Sequence, residues 1–137
     1  MPLQADEIVP GAVAYFDAAG LNADEDVSRP AFPTTRNGPF VCYQQIGDRS
    51  AWTPITTQFR PERLAIMAEW RSGGSPAWRE GDQFVNDGAT TYAGPAEAFV
   101  RAATDEAPFR VRPAVSEPGV AAIVAEVRHR GGTFLGS

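Results

Sequence analysis

The sequence predicts a mainly β, α+β domain: a small, strongly bent antiparallel sheet or open barrel, with an amphipathic helix near the C-terminal end. Three observations predict it. The chain holds 13 Gly and 12 Pro in 137 residues, and such a density of turn formers favours short strands over long helices. Short runs rich in β-branched and aromatic residues lie between those turns. A C-terminal stretch, 118–130, repeats its apolar residues clearly at helical spacing.

Each element follows from local chemistry. Residues 1–9 read as a flexible arm, and Pro10-Gly11 turns the chain into a first strand over 12–16. Residues 17–28 are polar and acidic and contain Gly20, which predicts a long loop. A short strand over 31–35 contains Pro33, which places it at an edge or a bulge. Residues 36–39 read as a hairpin turn. The aromatic and β-branched run over 40–46 predicts a strand, Gly47-Asp48 a turn, and 51–57 the next strand, bent or bulged at Pro54. Over 63–70, Leu64, Ile66, Ala68 and Trp70 alternate with Arg63, Ala65, Met67 and Glu69, the period of a strand, with a helix as the alternative.

Residues 72–76 are a loop. Segments 83–85 and 90–92 flank Asn86-Asp87-Gly88, a tight-turn signal. Residues 96–103 leave helix and strand both open, and 110–112 predict one more strand. Ser116 is placed to cap a helix and Pro118 suits its first turn. Val120, Ile123, Val124 and Val127 supply the apolar stripe, Arg128 and Arg130 the last turn, and Gly131-Gly132 the stop. Residues 132–137 read as a flexible tail. No internal repeat or second domain is evident.

At 43% hydrophobic and 21% charged residues, the composition is that of an ordinary globular domain. There is no apolar run long enough to span a bilayer, and no basic-then-apolar secretory leader. Cytoplasmic residence is therefore the default. The lone Cys42 excludes an internal disulfide framework and reads as a small buried hydrophobe. Net charge is −5, which argues against nucleic acid at first. The distribution is uneven: residues 1–27 hold six acids and no base, whereas 28–137 hold all 12 arginines against 11 acids. There is no lysine, so apart from the single His every side-chain cation is a planar fork suited to bidentate phosphate contact.

Chemistry-bearing residues are few. With one His, one Cys and no metal-ligand cluster, the best constellation for a charged substrate is Arg29 with Thr56 and Thr57. Each residue also has an ordinary structural reading: an ion pair for Arg29, strand propensity for the threonines, the core for Trp52 and Trp70.

The order of the motifs resembles the MazF/PemK family of bacterial toxins, which are small SH3-like barrels. Gly11 followed by the strand from Val13 to Asp17, then Arg29-Pro30, then Pro54-Ile55-Thr56-Thr57-Gln58, all look like that family's pattern, and the helix at 118–130 lies where its last helix lies. The similar part spans about residues 10–58. Asp24-Glu25-Asp26 in the first loop, Pro33 in the following segment, and residues 73–109 depart from the pattern. The resemblance implies an SH3-like open antiparallel barrel and a cofactor-free, metal-independent endoribonuclease acting on single-stranded RNA. It also implies a homodimer held by an antitoxin protein.

Attack of a ribose 2′-hydroxyl needs no protein nucleophile, only proton transfer and stabilisation of charge on the phosphate. On this reading Arg29 and Thr56 are catalytic, and Thr57, Gln58, Trp52, Arg60 and Arg63 bind substrate. Asp17, Glu25 and Asp26 are candidates for the base. Trp52, Phe59, Trp70 and Trp78 are the aromatic planes available for stacking. The alternative function is a non-catalytic SH3-like barrel serving as a protein-binding or assembly module.

Overall fold

The computed structural model describes residues 3–104 and 111–136. Its architecture is α+β, with a five-stranded antiparallel sheet and a C-terminal helix. Strand β1 (Val13–Phe16) at one edge, then the two long strands β2 (Gly38–Ile46) and β3 (Arg49–Thr56), pair in sequence order. The far edge of β3 is shared by two short strands placed end to end. Strand β6 (Tyr92–Pro95) pairs with residues 49–52, and β5 (Phe84–Val85) pairs with Ile55 and Thr56. A separate two-stranded sheet joins β4 (Arg71–Ser72) to β7 (Ala114–Val115).

The main sheet does not close. Its edges are met by isolated bridges: Ala12 with Ala114, Phe16 with Ala103, Ser28 with Ala93, and Ala65 with Phe84. These take up edge N–H and C=O groups that would otherwise invite pairing with another chain.

Both faces of the sheet are buried, which explains why its strands read as near-continuous apolar runs. Because successive strand residues point to opposite faces, Ala14, Phe16, Phe40, Cys42 and Trp52 face one layer and Val13, Val41, Tyr43, Ala51 and Ile55 the other. The first layer is completed by α1 (Ala18–Ala23), α3 (Ala96–Ala102), Leu3 and Ile8. Phe16 sits at its centre, edge-on to Trp52 at 4.9 Å and to Phe40 at 5.3 Å. The second layer takes α2 (Pro76–Glu80) through Trp78, and α4 (Glu117–Arg130) through Ile123 and Val127.

Helix α4 forms as expected, ending on Gly131 at φ 78°. Gly131 N–H donates to Arg128 O and Gly132 N–H to Val127 O, the paired bonds of a Schellman ending. Ser116 occupies the N-cap position but its side chain makes no capping bond.

Several expectations are corrected. The first loop contains helix α1, capped by Asp17, whose carboxylate accepts from Ala19 N–H. Residues 31–35 form no strand, and the predicted turn at 36–39 is replaced by a β2 that already starts at Gly38. The sheet's bulge falls at Tyr43 rather than Pro54: Cys42 pairs with Trp52 and Gln44 with Ala51, while Pro54 pairs in register with Phe40.

Over 63–70 there is no strand, only an irregular segment ending in a 3-10 turn at Ala68–Trp70. Segments 83–85 and 90–92 do not form a hairpin with each other, because β3 takes both as partners. Residues 96–102 are helix α3. Of the strand predicted at 110–112, Arg110 lies outside the described residues, and Val111 and Arg112 are not in a strand.

Of the stretch 1–9, Leu3 and Ile8 are buried, and Glu7 pairs with Arg112 at 3.2 Å. Of the stretch 132–137, Thr133 O accepts from Tyr43 Oη at 2.5 Å, and the Leu135 backbone is bonded in both directions to Gln44.

Candidate functional site

Strand pairing decides which loops meet. Phe16 lies opposite Gly38 and Phe40 opposite Pro54. The end of β1, the start of β2 and the end of β3 therefore share one end of the sheet. The 17–37 connection and the segment after Thr56 both leave from there. Residues 84–86 reach the same end, through β5 and through Asn86 N–H, which donates to Pro54 O at 3.0 Å.

Two adjoining hollows open at this end, with Thr34 and Asn86 in the walls of both. The smaller, of about 200 Å³, is lined by Arg36, Thr56 and Thr57 among others. The larger, of about 380 Å³, is lined by Phe32, Arg60, Arg63, Asp87, Glu126 and Arg130 among others.

The wall between them is held by a hydrogen-bond network under the 31–37 segment. Tyr92, wholly buried, donates its hydroxyl to Asn22 Oδ1 and accepts from Thr34 N–H, both at 2.9 Å. Asn22 Nδ2 donates to Thr34 O at 2.8 Å. Burial pushes the Tyr92 hydroxyl above its ordinary pKa, against the smaller opposing effects of Thr34, Arg29 and Asn22. It therefore remains a neutral donor in this network at neutral pH.

Arg29 is adjacent to this network but lines neither hollow. It is exposed, and its Nη1 donates to Asn22 O. The cation that joins Thr56 and Thr57 in one hollow is Arg36, which sequence reasoning passed over as a turn residue. Thr56 Oγ1 accepts from Gln58 N–H at 3.2 Å, and a hydroxyl so engaged keeps its own hydrogen as a donor. Thr57, Gln58 and Arg60 are exposed.

Arg63 acts as a clamp between loops. Its Nε donates to Asn86 O at 3.0 Å, Nη2 to Asn86 Oδ1 at 2.6 Å, and Nη1 to Gln58 O at 2.9 Å. This fixes the chain after β3 against the end of β5.

Trp52 is corrected as a substrate-binding residue. It is fully buried, and its indole N–H donates to Ser50 Oγ at 2.8 Å, so no base can reach its face. Trp78 is likewise buried and Trp70 half-buried. The exposed aromatics here are Phe32, at 88%, and Phe59, at 70%. Phe59 leans edge-on against Phe84 at 5.8 Å.

The candidate bases lie elsewhere. Asp17 caps α1, and Asp26 pairs with Arg101 at 3.4 Å. Arg101 also holds Asp24 at 2.9 Å. The Asp26 N–H first, and Arg101 second, keep the Asp24 carboxyl below its ordinary pKa. Glu25 is exposed and lines neither hollow. Burial lifts the Cys42 thiol to about 12, which leaves it an inert thiol. Among the described residues, no group of three or more His, Cys, Asp or Glu is arranged to hold a metal ion, and no helix is long and apolar enough to cross a membrane.

Comparison with protein-family models, curated proteins and solved structures found no match for this chain.

Proposed function

We propose that this protein is a metal-independent endoribonuclease of the MazF/PemK kind, cutting single-stranded RNA at the hollow between Arg36 and Thr56. The observation that supports the reading is the convergence of one guanidinium and two adjacent hydroxyls, Arg36 with Thr56 and Thr57, on a small hollow at the end of the sheet where Pro54 closes β3 against the start of β2. In the reaction the 2′-oxygen bonds to the adjacent phosphorus, the bond from phosphorus to the 5′-oxygen breaks, and the 2′-proton leaves as the 5′-oxygen gains one. The products are a 2′,3′-cyclic phosphate and a 5′-hydroxyl. Arg36 and the Thr56 hydroxyl stabilise the charge that builds on the phosphoryl oxygens, where a single well-placed donor is worth about 100-fold or more in rate. Arg29 does not reach the phosphate; it supports the wall of the hollow, donating to Asn22 O while Asn22 Nδ2 donates to Thr34 O. On the same reading the nuclease works as a homodimer in the cytoplasm and is silenced by an antitoxin protein.

A second reading, a non-catalytic module that binds a protein partner, is favoured by the turn of Arg29 onto a backbone carbonyl and by the engagement of Asp17 and Asp26 away from the hollow. Purified protein and its Arg36→Ala and Thr56→Ala variants, incubated with a long single-stranded RNA in EDTA, separate the two. The nuclease reading expects discrete cuts that both variants reduce about 100-fold. Intact RNA with well-folded wild-type protein would overturn the nuclease reading and favour the module, whose own test is capture of a protein partner.

A further inference from the structure

The geometry points to the larger hollow as a subsite for guanine, with Phe32 as its stacking surface and Asp87 and Arg60 as the groups that read its edge. The inference rests on the reading of this end of the sheet as an RNA groove, and names the base it selects.

Phe32 is the starting observation. It is 88% exposed although it lines a concave site. An aromatic left in water at a hollow is the feature that single-stranded nucleic acid binders use, because every base offers a π-face. Its position is fixed on both sides. Pro30 and Pro33 flank Ala31-Phe32 and restrict the backbone there. Thr34 is tied to Tyr92 and Asn22. The ring is thus presented by a stiff segment, and little ordering is needed on binding.

The charges around Phe32 select among bases. The hollow is not uniformly basic, as a pure phosphate groove would be: Arg60, Arg63 and Arg130 share it with Glu62, Asp87 and Glu126, and Arg63 is committed to Asn86 and Gln58. Arg130 and Glu126 are committed to each other at 3.0 Å, and Arg130 also donates to Glu62 O at 2.7 Å. Asp87 and Arg60 are both exposed. The Asp87 carboxylate is oriented by its own turn, Oδ1 accepting from Ala89 N–H at 2.9 Å.

A carboxylate needs donors and an arginine needs acceptors. Guanine alone among the four RNA bases offers two adjacent N–H donors, at N1 and N2, together with two acceptors at O6 and N7. Adenine would set its N1 lone pair against Asp87, and cytosine its N3 and O2. Uracil offers one ring N–H between two carbonyl oxygens that repel the carboxylate.

The test is titration of ¹⁵N-labelled protein with 5′-GMP, AMP, CMP and UMP, which share ribose and phosphate and differ only in the base. GMP is expected to bind about tenfold or more tightly than the other three and to shift the Asn86 and Asp87 amides. Phe32→Ala, a change at a solvent-exposed ring, is expected to weaken all four by about tenfold. Asp87→Asn, which keeps the oxygen that caps Ala89, is expected to remove the preference for GMP. Equal binding of all four, no saturable binding of GMP, or unchanged binding in Phe32→Ala would overturn the inference. RNA cleavage without a GMP preference would sink the subsite and leave the nuclease standing. A GMP preference in protein that cuts nothing would do the reverse.

Discussion

Tyr92 shows how much of the site depends on one buried polar atom. Its hydroxyl is donor to Asn22 and acceptor from Thr34, and those two bonds hold the wall shared by both hollows. Tyr92→Phe leaves both partners without that group, a loss of about 1–3 kcal/mol. Urea unfolding should show a lower midpoint for this variant. If RNA is the substrate, cutting should fall as well, although Tyr92 touches no phosphate.

A second residue-scale prediction concerns acid. Burial pushes the Glu7 carboxyl up, but the Gln4 N–H and Arg112 outweigh it and hold the group below its ordinary value. A depressed carboxylate contributes stability at pH values above its unfolded pKa, about 4.3, and loses it as pH falls through the folded value. Glu7→Gln should therefore flatten the acid limb of a stability profile below about pH 4 and change little in its slope near neutrality. An unchanged acid limb would mean that the pair is not formed in solution.

Single residues were unevenly legible in the sequence. Thr56, Thr57 and Gln58 stand out because two hydroxyls and an amide follow a strand proline; Thr56 and Thr57 line the smaller hollow, and Gln58 lines neither. Trp52 has two readings in the sequence, a stacking plane or, the more common case for an indole, core, and its burial against Phe16 and Phe99 gives the second. Arg36 was hidden within a turn signal.

At the scale of elements, α4 was the most legible, since its spacing, its proline and its terminal glycines all agree. It carries one feature that the pattern does not explain, Gly119, in the first turns of a helix where glycine costs about 1 kcal/mol relative to alanine. The structure supplies the reason: a Cβ there would lie 2.4 Å from Val115 Cγ1 and 2.9 Å from Trp70 Cβ. Overpacking of that kind costs roughly 1–3 kcal/mol, which outweighs the helix propensity gained. Gly119→Ala should lower the urea midpoint, and a rise would show that α4 can shift away from Trp70 at little cost.

The short helices were missed for definable reasons. Gly20 and Asn22 disguise α1 as loop, although Asp17 was a legible cap. Helix α2 announces itself only by Ser75-Pro76, a cap followed by a first-turn proline. The alternation over 63–70 misled because Ile66 is buried beside β5 while the chain curls into a 3-10 turn two residues on. Asn86-Asp87-Gly88 does turn the chain, with the Asp87 carboxylate accepting from Ala89 N–H. Turn chemistry is local, and it does not record that β3 has an edge long enough for both flanking strands.

At the scale of the molecule, the α+β class and the antiparallel sheet were readable from short apolar runs between turns. The burial of both faces was not, because α1, α2 and α3 together supply one layer and part of another from segments with weak periodicity. That arrangement has a functional consequence. With Trp52 and Trp78 locked between layers, the polar end of the sheet is left as the surface for chemistry, with Phe32 and Phe59 as exposed rings and Phe32 the one that lines a hollow. Everything proposed for the protein converges on that end. The most direct test is the cleavage of a long single-stranded RNA in EDTA by wild-type protein beside its folded Arg36→Ala and Thr56→Ala variants. Discrete cuts that fall about 100-fold in both variants are the predicted result. Cuts that persist in both variants, or an intact RNA with the folded wild-type protein, would contradict it.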